Sequence, residues 1–189
     1  MSSTSAPSAR RRLRTLCLAS LATTITALLA VAPAQADCPS VSFRNIVAPG
    51  TKTRGDRTIT AQANSDPNLN GLLRATKEPW DSVTARERFD VVCHDGYANI
   101  RNVATNKYVA VEMGAGGSHK FMLRARTPGN ALGLWEKFTI EPSYALPGAY
   151  LIRSQANNLY VAAEHDNGGQ LAARTPGIEI GPWEKFWII

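Results

Sequence analysis

From residue 41 onward, apolar and polar residues alternate in short runs separated by Gly, Pro, Asn and Asp. That is the pattern of half-buried strands joined by turns, not of helices. The pattern recurs. Leu171 to Ile189, LAARTPGIEIGPWEKFWII, restates Leu123 to Glu141, LRARTPGNALGLWEKFTIE, at a period of 48 residues. Upstream the copy extends through Tyr108 to Glu112 (YVAVE) and Tyr160 to Glu164 (YVAAE), and through Ile100-Arg101-Asn102 and Ile152-Arg153-Ser154. Phe43-Arg44-Asn45, Ile59-Thr60-Ala61-Gln62, Leu73-Arg74-Ala75 and Phe89-Asp90-Val91 mark a third, worn unit. Repeats therefore span about 41–92, 97–142 and 149–189, and a period of this size governs the fold.

Each unit holds four alternating segments. Superposing the units gives seven apolar sets: Phe43/Ile100/Ile152, Ile59/Val109/Val161, Ala61/Val111/Ala163, Leu73/Leu123/Leu171, Ala75/Ala125/Ala173, Phe89/Phe138/Phe186 and Val91/Ile140/Ile188. These are the expected core. Residues between them, such as Arg44/Arg101/Arg153 and Gln62/Glu112/Glu164, are polar and are expected to face outward. Twelve strands in three fourfold units predict an all-β fold, a closed pseudo-threefold barrel capped by hairpins: a β-trefoil. Closure removes exposed strand edges. Repeat one carries extra residues, Val47 to Arg57, which read as an exposed loop.

The run YVAAE, a glycine turn, LAAR and GPWEKF in repeat three resembles the fascin-like β-trefoil, in the small secreted bacterial version also found beside glycoside hydrolase domains. Repeats two and three fit the resemblance well. Repeat one departs from it, with Arg86-Glu87-Arg88-Phe89 where the others have Trp-Glu-Lys-Phe, and Thr58 where they have Tyr. The resemblance implies a binding domain acting on carbohydrate. The Q-x-W signature of ricin-type trefoils is missing, so those sugar sites are not carried over.

The N-terminus changes the charge balance. Arg10, Arg11, Arg12 and Arg14 precede an apolar stretch from about Leu16 to Ala32 and a small-x-small site at Ala34-Gln35-Ala36, the layout of a secretory signal peptide over residues 1–36. Its removal leaves 17 Lys+Arg against 15 Asp+Glu in a domain of 153 residues, 37–189. A basic stripe for nucleic acid is therefore not expected, nor is membrane attachment after cleavage. Cys38 and Cys93 remain, in an exported and oxidising setting, and are expected to form a disulfide. Closing that loop contributes about 4 kcal/mol in the chain-entropy model.

Catalytic signatures are absent: there is no glycine-rich phosphate loop, G-x-S-x-G elbow, H-E-x-x-H helix or C-x-x-C pair. His94, His119 and His165 fall in separate loops without a second ligand at metal spacing, so they read as surface residues and no metal or cofactor is expected. Glu136 and Glu184 recur beside Trp135 and Trp183. A glycosidase needs two carboxylates facing one bond, so one per repeat argues for structural roles as partners of backbone donors or an arginine. Trp135 and Trp183 are expected to be buried against the barrel end.

Trp80, in Lys-Glu-Pro-Trp-Asp-Ser, is the candidate exposed aromatic. The remaining ligand candidates are Asn158, Tyr160, Glu164, Asp166 and Asn167 in repeat three, with Tyr108 and Glu112 in repeat two. Polar turn residues can orient a sugar's hydroxyls while an aromatic covers its C–H face; the same residue types also serve plain turn geometry. The expected function is a secreted, non-enzymatic, lectin-like domain whose partner is a polysaccharide or other glycan. The alternative is a protein-binding trefoil, an adaptor or hydrolase inhibitor whose partner is another secreted protein.

Overall fold

The computed structural model describes Ser40–Val41, Phe43–Asn45 and residues 56–189. The signal segment, Cys38 and residues 47–55 of the expected loop lie outside the described residues. Alternating sequence becomes strand throughout. Repeat one supplies β1 (Ser40–Val41), β2 (Phe43–Asn45), β3 (Arg57–Ala61), β4 (Leu73–Lys77) and β5 (Phe89–His94). Repeat two supplies β6 (Tyr97–Asn102), β7 (Lys107–Val111), β8 (Leu123–Thr127) and β9 (Phe138–Pro142). Repeat three supplies β10 (Tyr150–Ser154), β11 (Tyr160–Glu164), β12 (Gln170–Thr175) and β13 (Lys185–Ile188). The fourfold count holds, with the first strand of repeat one in two pieces. Arg57 opens β3, so the expected loop ends before it.

First and fourth strands of each repeat pair around a circuit. β1 pairs with β5, β5 with β6, β6 with β9, β9 with β10, β10 with β13, and β13 with β2, all antiparallel. Because β1 and β2 belong to one strand of the repeat, the circuit closes into a six-stranded barrel. Second and third strands form the hairpins β3–β4, β7–β8 and β11–β12. Each hairpin shifts register at the same place, between Thr58 and Ile59, Tyr108 and Val109, and Tyr160 and Val161. A bulge there bends each hairpin over the barrel end.

Six of the seven superposed sets are buried in all three copies. The rings of Phe89, Phe138 and Phe186 are fully enclosed, each stabilising the fold by about 1.5–3 kcal/mol through burial. In the seventh set Val91 is buried while Ile140 and Ile188 are only partly so. That set lies nearest the open end of the barrel.

Neighbouring hairpins are stitched by backbone bonds at equivalent places. Ala75 N–H donates to Gly169 O at 2.7 Å, Ala125 N–H to Gly71 O at 2.8 Å, and Ala173 N–H to Phe121 O at 2.9 Å. All three acceptors have left-handed backbones, with φ of 72°, 80° and 61°. Glycine suits two of them, since a Cβ at Gly71 or Gly169 would stand 2.4 Å from a carbonyl oxygen. Phe121 holds the third, with its ring packed on the core.

Candidate functional site

The recurrent glutamates take up structural work. Glu136 Oε2 accepts the Gly133 N–H at 2.7 Å and its Oε1 accepts the Thr127 hydroxyl at 2.8 Å. Glu184 repeats this with Gly181 and Thr175 at 2.7 and 2.8 Å. In repeat one, Glu87 takes the Thr84 N–H at 2.8 Å, and Lys77, standing where the others have threonine, donates at 3.0 Å. All three carboxylates are buried. Burial alone would raise the Glu87 carboxyl, but donation from Thr84 and Lys77 outweighs it and holds it below its ordinary value.

A second threefold device interlocks the hairpins. Arg74 donates to Asn167 O and Gly168 O of repeat three, both at 3.0 Å. Arg124 reaches Pro67 O at 2.7 Å and Asn70 O at 3.0 Å in repeat one. Arg174 reaches Ser118 O at 2.5 Å and Lys120 O at 2.7 Å in repeat two. Each repeat thus grips its neighbour's turn. Two ligand candidates orient these arginines: Glu164 accepts from Arg174 at 2.7 and 2.9 Å, and buried Glu112 pairs with Arg124 and Arg126. Sequence reasoning missed this latch, although Arg74 and Arg124 share one place in the superposed repeats.

The other candidates separate along the fold. Asn158 and Tyr160 sit at one end of β11 and Glu164, Asp166 and Asn167 at the other, four strand steps or roughly 13 Å away. Asn158 adopts φ 60° and accepts from Arg153 at 2.5 Å, as its counterpart Asn106 does from Arg101 at 3.2 Å. Tyr160 donates its hydroxyl to Glu141 at 2.5 Å, a bond that raises the phenol above its ordinary value with burial in support. The Tyr160 ring lies against Gly177 and the Tyr108 ring against Gly129, each leaving little space for a Cβ. Asn167 donates to Ser118 O and to Glu164 Oε2, both at 3.3 Å.

What remains open to solvent gathers at the repeat-three turn. His165–Asn167 forms one turn of 3₁₀ helix ended by Gly168 at φ 60°. Asp166 at its centre is exposed. The half-buried His165 ring meets Trp183 edge to face, 5.6 Å between centroids. Burial first, and then the nearby Arg57 guanidinium, hold this imidazole below its ordinary value while Asp166 pulls the other way. The ring is therefore neutral at neutral pH. An indole and an imidazole thus meet beside one turn next to the exposed Asp166, while the Arg57 guanidinium is ion-paired with Glu78.

Two sequence expectations change here. Trp135 is 46% exposed, not buried, because Leu132, Leu134 and Trp135 ride on an outward loop after β8; Trp183 is partly buried. His94 ends strand β5 instead of lying in a loop, and His119 and His165 are half-buried in 3₁₀ turns. Trp80 is exposed, at 65%, but lies in the loop between β4 and β5. Repeat three has Ile178 at that place in the superposition, 94% exposed. Among the described residues, no three His, Cys, Asp or Glu side chains converge as a metal site would require.

No protein-family model matches the sequence, and no curated protein does. Solved structures do. The ricin B-like lectin of Macrolepiota procera, determined with lactose, superposes at TM-score 0.57 with 11% identity, covering 80% of this chain and 95% of its own. A designed threefold-symmetric protein, ThreeFoil, superposes at 0.55 with 11% identity, covering 78% and 97%. The chain is a β-trefoil. A GlcNAcα1-4Gal-releasing endo-β-galactosidase from Clostridium perfringens matches at 0.57 and 14% identity over 79% of this chain but 32% of that enzyme. At these identities the likeness concerns the fold. The trefoil's own surface must supply the functional argument, and its repeat-three turn is where polar groups and an aromatic converge.

Proposed function

We propose that this trefoil is an exported, non-catalytic carbohydrate-binding domain of the fascin-like type. The observation that carries the reading is the repeat-three turn, where exposed Asp166 follows His165, whose ring meets the Trp183 indole. Such a set can accept and donate hydrogen bonds to vicinal hydroxyls while the indole covers a sugar's C–H face. The ricin B-like lectin and the endo-β-galactosidase among the structural neighbours support a glycan by analogy of fold. The non-catalytic reading rests on Glu87, Glu136 and Glu184, which spend both carboxylate oxygens or their buried position on the fold.

Export rests on the basic and apolar N-terminal segment. Cys93 is disulfide-bonded, a state that persists in oxidising compartments, and Cys38 is its proposed partner. Titrating chitin, β-glucan and galactan oligosaccharides while following tryptophan fluorescence tests the binding reading. One of them should give a saturable change that Asp166→Ala weakens about tenfold, the worth of a charge-assisted hydrogen bond. Silence across the series contradicts it.

A protein partner is the second reading, and one observation favours it. Leu132, Leu134 and Trp135 form an exposed apolar run on one loop, of the kind that marks interaction surfaces. Co-purification of one stoichiometric secreted protein, lost in Trp135→Ser, would support it.

A further inference from the structure

The hairpin of repeat two carries more positive charge than the other hairpins, and the arginine latch uses only part of it. Counted from the register shift in each hairpin, Lys107, Arg57 and Leu159 occupy one position, Arg124, Arg74 and Ala172 a second, and Arg126, Thr76 and Arg174 a third. Repeat two alone is cationic at all three. In repeat one, Arg57 pairs with Glu78 and Arg74 is taken up by turn carbonyls. In repeat three, Arg174 pairs with Glu164. Repeat two sets three cations against one hairpin carboxylate, Glu112, which pairs with both arginines.

These three side chains line one groove of about 390 Å³, bounded by the repeat-one turn at Pro67 and Asn70. Arg124 is a fixed wall of it. Its Nε donates to Asn70 O at 3.2 Å and its Nη2 to Pro67 O at 2.7 Å, while Nη1 stands 3.7 Å from Glu112 Oε1. Burial holds this guanidinium below its ordinary value and Arg126 adds to that, against Glu112 and Asp66. The Arg126 side chain is 40% exposed and meets Glu112 through Nε. Among the described residues, no hydrogen bond engages its outer nitrogens, and the Lys107 ammonium has neither an ion pair nor a hydrogen bond.

A groove lined by donors without acceptors selects for an anion. Nucleic-acid bases would find no aromatic face to stack on there, and a bilayer no large apolar side chain to take up. We infer that this groove binds the acidic group of an anionic polysaccharide, a uronate carboxylate or a sulfate ester, through Lys107 and Arg126. The guanidinium offers two parallel N–H bonds to one oxyanion, and the ammonium adds a point charge. Thr105 and Asn70 line the same groove and offer a hydroxyl and an amide to the sugar's neutral hydroxyls. That a saccharide bears the acid rests on the glycan reading. The place is a second one, because Asp166 would repel the same group at the repeat-three turn.

The test is isothermal titration of the purified protein with oligogalacturonate and with a sulfated galactan oligosaccharide. Neutral galactan of equal length and oligoglutamate of equal charge are the references. At least one acidic saccharide should bind saturably, more tightly than oligoglutamate, and the arm that binds names the acid. Combining Lys107→Gln with Arg126→Gln should weaken it about tenfold, about threefold for each exposed ion pair, and leave neutral galactan unchanged. Arg126→Gln alone, at the more exposed residue, should act in the same direction and serves if the double variant fails to fold. Lys137→Gln, a cation outside the groove, should have no effect. Absence of saturable binding in both acidic arms overturns the inference. So does unchanged affinity in a folded double variant or, if that variant does not fold, in Arg126→Gln, an equal loss in Lys137→Gln, or equal affinity for oligoglutamate. The glycan reading survives that failure if a neutral oligosaccharide still binds and Asp166→Ala weakens it.

Discussion

Glu136 shows how a carboxylate repeated in the sequence is tied into the fold. Its carboxylate is buried and accepts from a backbone N–H and a threonine hydroxyl. Truncation would orphan both donors. Glu136→Ala should therefore lower stability by about 2–3 kcal/mol, read as a fall in the urea midpoint at unchanged slope. Glu87 adds a pH dependence. Its folded carboxyl is held below the unfolded value, so its contribution is present above the unfolded value and lost as pH falls through the folded one. Thermal melts across the acid range should show that limb, and Glu87→Gln should flatten it; an unchanged acid limb in the variant would refute the assignment.

At the scale of elements, the turns between second and third strands decide how the hairpins meet. Gly169 has φ 72°, and a Cβ there would stand 2.4 Å from Ala75 O. Gly169→Ala should thus cost at least about 1 kcal/mol from backbone strain and more from the clash. The midpoint of denaturant unfolding reads this directly. Strands and turns were legible in the sequence because inward residues recur at a fixed spacing: Phe89, Phe138 and Phe186 lie in register and all are enclosed. The latch arginines were not legible, since their partners are carbonyl oxygens of a neighbouring repeat and carry no side-chain signature.

Trp135 was misjudged for a related reason. It precedes a core strand as Trp183 does, yet the loop residues before the two differ, Leu132 and Leu134 against Ile180 and Pro182, and the equivalence of sequence does not extend to exposure. In the candidate site, Asp166 and its turn were legible as polar turn chemistry. The nearness of Trp183, His165 and Arg57 was not, because it depends on tertiary packing across distant stretches of chain.

For the whole molecule, the closed barrel leaves the chain ends to be secured. β1 pairs antiparallel with β5, the strand that carries Cys93, in the register Ser40 to Asp90 and Val41 to Phe89. The proposed bond between Cys38 and Cys93 should lower the free-thiol count of a protein spanning residues 37–189 to zero. Its loss in Cys93→Ser should cost up to about 4 kcal/mol, measured as a drop in melting temperature that reducing agent reproduces in the parent protein.

The measurement that bears most directly on function is retention of the purified domain, residues 37–189, on insoluble cell wall, chitin, cellulose and β-glucan in moderate salt. The account predicts retention on one matrix, release by its soluble oligosaccharide, and loss in an Asp166→Ala variant whose melting temperature is unchanged. Passage through every matrix, or retention that Asp166→Ala and Trp183→Phe leave intact, would contradict a glycan site at the repeat-three turn.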